Sequence, residues 1–172
     1  MEALGVNRSA LLTDLAFCVN RWRLLSPGWY VCVMAKIQFT PSEWEVPGLS
    51  AMVNYGGMKQ CEVRDEMFQG PPNFVLDVFE SEKDADFLRR RERFERNGVR
   101  EYLVAFDRAP VTVLWHQLKG NGYGLLEPDE DGVIRSSALP NFWVPLSAVQ
   151  DRNWWAVAGC IERGVSRRAD FS

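Results

Sequence analysis

The stretch from residue 70 to residue 106 constrains this chain more than any other. Two apolar runs of strand length, Phe74–Phe79 (FVLDVF) and Glu101–Phe106 (EYLVAF), flank a charged segment, residues 83–97 (KDADFLRRRERFERN). Phe87 and Phe94 stand seven apart, so a helix would put both on one face, toward a core. Gly98 follows where a left-handed residue commonly ends a helix. Strand, helix, strand at this spacing predicts a βαβ unit, with 74–79 and 101–106 parallel in one sheet. Both runs are apolar on both faces, apart from Asp77 inside the first.

The flanking pattern fits around that unit. Residues 9–25 have helical spacing (Leu11, Leu15, Cys18 or Val19, Trp22), with Asn7 or Ser9 available as caps, and Ser26-Pro27-Gly28 stops them. Residues 29–39 read as one strand, its first half central and buried on both sides. A short strand follows around 49–55, then an irregular surface stretch through Gly70-Pro71-Pro72. Residues 111–118 read as an antiparallel return, 123–127 and 132–136 as hairpin segments, 139–149 as a closing segment and 153–162 as a helical patch. The order predicts a mixed α/β architecture with a central sheet and one core. One domain over 1–152, followed by a C-terminal helix and basic tail over 153–172 (Arg163, Arg167, Arg168), fits a length of 172 residues.

Composition excludes several chemistries. There is one histidine, His116, so three-histidine zinc and HExxH sites are impossible, and a Ser-His-Asp hydrolase would have to use His116 itself. Its place beside Trp115 on an apolar strand favours a structural role. The cysteines, Cys18, Cys32, Cys61 and Cys160, form no CxxC pair. No run of 18 apolar residues and no signal peptide is evident, which makes cytoplasmic residence with reduced thiols the expectation. Net charge is −3, so no global positive field draws the chain to nucleic acid.

Asp77 is the most informative residue. A carboxylate inside an apolar strand costs several kcal/mol unless it is paired, hydrogen-bonded or on a metal. Pairing with an arginine of the next helix and metal ligation both satisfy it. That helix carries Arg89, Arg90, Arg91, Arg93 and Arg96. Phosphate is the obvious ligand for such a face. Yet residues 77–100 hold seven acidic and seven basic side chains, which equally describes a solvated, self-paired helix with Asp86 and Arg90 at i,i+4. Trp154 and Trp155 cannot both face one core from a helix, so one could serve a homodimer contact.

The stretch GPPNFVLDVF (70–79), followed by Asp86, Arg90 and Phe94 at four-residue steps and then GVREY (98–102), resembles the Uma-two type restriction endonuclease domain family of the PD-(D/E)XK nuclease superfamily. The segment LPNFWVPL (139–146) is similar to that family's closing segment, and the resemblance covers roughly residues 46–149. It implies a restriction-endonuclease-like core, a central mixed β-sheet flanked by helices, and Mg²⁺-dependent phosphodiester hydrolysis of DNA. Carried over position by position, Asp77 stands where the family has its strand glutamate, and Arg90 where it has the helix lysine. Gly48, in Pro47-Gly48, stands where it has the first aspartate. The resemblance thus implies Asp77 and Arg90 as catalytic positions and Asp77 as a metal ligand; Glu80 is a candidate second ligand beside it, and Arg89, Arg91 and Arg93 of the arginine-rich helix are the candidate DNA contacts. Glu45, Glu62 or Asp65 could replace the missing aspartate, and Glu80 or Lys83 could contribute beside Asp77. Arginine stays charged and cannot act as a base. The expectation is a weakly active or inactive copy, or a DNA-binding or dimerising remnant.

Overall fold

The structure is a computed structural model that describes residues 5–53, 56–120 and 122–167. In chain order its elements are α1 (Val6–Leu25), β1 (Trp29–Val33), β2 (Ile37–Thr40), β3 (Glu43–Glu45), β4 (Leu49–Val53), β5 (Glu62–Arg64), β6 (Met67–Gln69), β7 (Phe74–Phe79), α2 (Ala85–Arg96), β8 (Glu101–Phe106), β9 (Thr112–Lys119), β10 (Gly122–Leu125), β11 (Val133–Arg135), β12 (Trp143–Pro145), α3 (Leu146–Gln150) and α4 (Trp154–Ser166). The main sheet runs β1-β4-β7-β8-β9-β10. The βαβ unit is present: β7 and β8 pair in parallel from Phe74↔Glu101 to Phe79↔Phe106. β9 returns antiparallel to β8, as the sequence predicts.

Strand alternation divides the core in two. Phe74, Leu76, Val78, Leu103 and Ala105 face α1 and α4, meeting Leu11, Leu15, Val157 and Ile161. Val75, Phe79, Tyr102, Val104 and Phe106 face α2, meeting Phe87 and Phe94. Asp77 shares the parity of Val75 and Phe79, so it lies under α2. The helix is capped by Asp84, whose side chain accepts from the Asp86 N–H at 2.9 Å, and it stops at Gly98, φ +83°.

Several segments differ from the sequence reading. Residues 29–39 are two strands in different sheets. Met34 turns the chain at φ +55°, and its N–H donates to Gly48 O, so β1 ends and β2 leaves. β1 is an edge strand with Tyr30 and Val33 about half exposed, not a central one. The stretch expected to be irregular supplies β5 and β6, which join β2 and β3 in a second sheet ordered β3-β2-β6-β5. These strands are three residues long, too short for period-2 patterning to show. β11 pairs with β12 inside the closing segment, and not with β10. α1 begins at Val6 with Gly5 as its cap, and uses neither Asn7 nor Ser9. α4 runs on to Ser166 and buries Val157 and Ile161 in the same core as α1. Trp154 packs against that core, while Trp155 is 90% exposed. Residues 54–55 of the expected second strand, and Arg168, lie outside the described residues. No helix among the described residues is long and apolar enough to cross a membrane.

Candidate functional site

The three positions matched by resemblance, 48, 77 and 90, meet at one point. Asp77 Oδ1 accepts from the Gly48 N–H at 2.7 Å and from Arg90 Nη1 at 2.8 Å. Asp77 Oδ2 accepts from the Tyr102 hydroxyl at 3.0 Å. The sheet registers build this contact. Leu49 pairs with Leu76, which sets Gly48 beside Asp77, and Asp77 pairs with Val104, one alternation from Tyr102. Arg90 reaches in because it lies on the apolar stripe of α2, three residues after Phe87 and four before Phe94. Those two rings pack on Tyr102 with centroids 6.5 and 4.9 Å away, which fixes the helix against β8.

Burial pushes the Asp77 carboxyl above the usual carboxylate range, while Arg90, the Gly48 N–H and the Tyr102 hydroxyl pull against it. Burial likewise holds the Tyr102 hydroxyl well above its ordinary value, so it remains a neutral donor.

The other arginines of α2 are paired mainly off their own helix. β3 alternates Glu43-Trp44-Glu45, so both carboxylates share a side, and that side meets α2. Glu45, buried, pairs with Arg89 and Arg93, and its Oε2 lies 3.4 Å from Arg90 Nε. Glu43 takes Arg93 at 3.2 Å and also Arg96. Asp86 pairs with Arg89 at 3.1 Å, not with Arg90 as helical spacing allowed. The self-paired helix of the sequence reading is therefore corrected: its arginines clamp the β2–β3 hairpin. Arg89, Arg90 and Arg93 line a surface cleft of about 420 Å³ with Ser42, Trp44 and Glu45. Arg91 has no ion-pair partner among the described residues.

The remaining candidates lie elsewhere. Glu80 is exposed and lines a separate cleft with Gly5–Arg8 and Asp107. Glu62 is exposed and pairs with Lys59, Asp65 sits in an exposed turn, and Lys83 is exposed. Of the three replacements considered for the missing aspartate, only Glu45 reaches the Arg90 guanidinium. Glu43, Tyr102 and Glu101 were not singled out from sequence. The alternation of Glu43 and Glu45 around Trp44 is the signal that could have found Glu43, on the same side as Glu45.

A hard divalent ion takes oxygen ligands in near-octahedral geometry. The residues present do not fit one. Both Asp77 oxygens already accept from three donors. Position 48 offers an N–H where a ligand would stand, and a Cβ there would lie 2.7 Å from Leu12 Cδ1 and 3.1 Å from Leu76 O. Among the described residues no group of three Cys, His, Asp or Glu side chains converges to hold a metal.

His116 is buried. Its ring is surrounded by Phe87, Tyr102 and Tyr123 at centroid distances of 5.6 to 6.2 Å. Its Nε2 has no hydrogen-bond partner among the described residues, and burial, helped by Arg91 and opposed by Glu95, lowers its pKa to about 4. The unfolded chain takes up this proton near pH 6.5, and the folded chain only near 4. Stability is complete above the higher value and falls as pH drops through the window. His116→Phe is expected to remove that part of the slope, read as the difference between wild-type and variant urea midpoints from pH 7 to pH 4.

The family model described as "Uma2: Putative restriction endonuclease" matches residues 1–148, which include Gly48, Asp77 and Arg90. The chain belongs to the Uma2 family. Among solved structures, the Uma2 chain is similar to a putative nuclease belonging to DUF820 from Anabaena variabilis. The TM-score is 0.66 at 9% identity, covering 89% of this chain and 84% of that one. Identity so low shows a shared fold alone. No curated protein matches the Uma2 chain. The family match ends before α4, although α4 completes the core under α1.

Proposed function

We propose that this Uma2 chain is a nuclease-fold protein whose hydrolytic centre has become an ion pair, leaving it silent or nearly so in the family's expected reaction, Mg²⁺-dependent phosphodiester hydrolysis of DNA. The observation that carries this reading is the arrangement at Asp77: its oxygens are filled by Gly48, Arg90 and Tyr102. Water activation needs a metal or a base at this point. Arg90 cannot be deprotonated to serve as a base, and Gly48 has no side chain to ligate a metal.

DNA contact through Arg89, Arg91 and Arg93 is the weaker half of the reading. Glu45, in the cleft between Arg89 and Arg93, pairs with both, Asp86 and Glu43 supply the rest of the balancing charge, and Glu45 would repel a phosphate. Arg91 is the member of the set with its charge unspent. Trp155, exposed at the start of α4, is the surface feature behind a homodimer reading.

Supercoiled plasmid incubated with Mg²⁺ or Mn²⁺ tests the main claim. Wild type is expected to nick no faster than Asp77→Ala, and titration of either metal to give no specific heat. Metal-dependent nicking that vanishes in Asp77→Ala would overturn it.

A further inference from the structure

The main sheet has two edges, and they are finished differently. At β10 the Tyr123 N–H turns away from β9 and donates to the Glu95 carboxylate of α2. The edges of the second sheet, β3 and β5, carry Glu43, Glu45, Glu62 and Arg64, while β11 and β12 carry Arg135 and Pro145. Charges, prolines and covering side chains are the usual guards against strand-to-strand association. β1, the other edge of the main sheet, reads WYVCV and has no charge, proline or glycine. Five of the twelve exposed large hydrophobic side chains among the described residues are Leu24, Leu25, Tyr30, Val33 and Met34, so exposed apolar surface is concentrated in and beside this strand. The backbone fixes which groups are free. The Met34 N–H donates to Gly48 O at 3.0 Å, and the β1–β4 register keeps that phase, so Cys32 and Tyr30 exchange hydrogen bonds with Ser50 and Met52. The N–H and C=O groups of Trp29, Val31 and Val33 therefore point away from β4, and among the described residues nothing bonds them.

We propose that β1 pairs antiparallel with β1 of a second copy of this chain, joining two main sheets into one across a two-fold axis at Val31. A two-fold contact requires a surface complementary to itself. With Val31 on the axis, Trp29 of each copy meets the partner's Val33, and the free groups of the two strands form about six backbone hydrogen bonds. The side chains match in the same register. Trp29, Val31 and Val33 alternate onto the α1 face, where Trp29 and Val31 already join the core and Val33 is exposed. On the α2 face the exposed Tyr30 stands opposite the partner's partly buried Cys32, in the close, non-hydrogen-bonded type of pair. Each pair off the axis sets a ring against a small side chain, and β1 brings no like charges together. The pairing is independent of the state of the Asp77 centre, and it places the homodimer contact on β1 and not at Trp155.

Sedimentation equilibrium of the full chain, with folding checked by circular dichroism, tests the pairing. Wild type is expected at twice the chain mass of 19.7 kDa. Val31→Pro removes an N–H that faces the free edge and none that bonds β4, a position where edge strands tolerate proline, so it is expected to sediment as a single chain. Where Val31→Pro does not fold, Val33→Lys, at a residue 56% exposed, guards the edge with a charge and carries the same readout. The register has its own test. With oxidised glutathione, Tyr30→Cys is expected to form an intermolecular disulfide with the partner's Cys32, and Tyr30→Cys combined with Cys32→Ser to form none. Wild type that stays a single chain at every concentration overturns the proposal, as does a dimer that survives in the folded edge variants. A dimer lost in Trp155→Ala and kept in Val31→Pro moves the contact to α4 and overturns it too. A Tyr30→Cys dimer that gives no disulfide, or gives one without Cys32, overturns the register and with it the proposed contact.

Discussion

Glu101→Ala is expected to lower the unfolding free energy by about 4 kcal/mol or more, the largest effect of any substitution considered. Glu101 is completely buried and has no ion-pair partner among the described residues. Its carboxylate accepts from Trp115 Nε1 at 3.0 Å, Ser136 Oγ at 2.6 Å, Ser137 N at 2.7 Å, Ser137 Oγ at 2.9 Å and Ala138 N at 3.0 Å. Alanine would orphan five donors at once. Two are backbone N–H groups that cannot turn away, and each buried donor left unmade costs about 1–3 kcal/mol. The loss also frees the 136–138 loop, which leads to the core residues Leu139 and Phe142. Glu101→Gln should cost less, about 1–3 kcal/mol, because an amide nitrogen in the place of Oε2 leaves the two backbone N–H groups their acceptor, and the Ser136 hydroxyl can rotate to accept from it, so that only Trp115 Nε1 is orphaned. Urea midpoints for both variants check the ranking. Equal losses would show that the charge of Glu101, and not its donor count, holds the loop.

Asp77→Ala is expected to destabilise the chain by about 3 kcal/mol, and here the sign matters more than the size. In a centre built for a metal but lacking it, removing one carboxylate relieves repulsion and stabilises the fold or leaves it unchanged. In an ion pair, removal strands a cation. The structure shows the second case. Without Asp77, Arg90 keeps only its looser contact with Glu45, and the Gly48 N–H and Tyr102 hydroxyl lose their acceptor. Asp77→Asn should recover part of the loss, since its carbonyl still accepts from Gly48 while the charge is gone. Chemical denaturation without added metal measures both. A neutral or positive change for Asp77→Ala would return the site to the metal-ligand class.

The cost of each change follows from how the fold distributes its polar groups. Asp77 and Glu101 lie in neighbouring parallel strands but face opposite sides of the sheet, Asp77 toward α2 and Glu101 toward the α1 face with Leu103 and Trp115. One is neutralised by a cation, the other by neutral donors alone. Both tie distant segments together: Asp77 joins β4, β7, β8 and α2, and Glu101 joins β8 and β9 to the loop after β11.

The βαβ unit was legible from residues alone, because a 3.6-residue period between two doubly apolar runs leaves few alternatives. That positions 48, 77 and 90 belong together came only through the family resemblance, not from the residues themselves. The second sheet was not, because three-residue strands carry no period. The break at Met34 was also hidden, since apolar residues continue across it and only the backbone turn separates β1 from β2.

What the sequence determined by itself is therefore the frame: a parallel strand pair, a helix whose apolar stripe carries Arg90 between Phe87 and Phe94, and a carboxylate inside the first strand. What only the tertiary structure decided is the state of that carboxylate. Its lone pairs are filled by a backbone N–H from position 48, a hydroxyl from position 102 and a guanidinium from position 90. That guanidinium is in turn shared with Glu45 on a hairpin outside the main sheet. A carboxylate's chemistry depends on what occupies its oxygens, and here those occupants are set by strand register and helix packing, which no local pattern encodes.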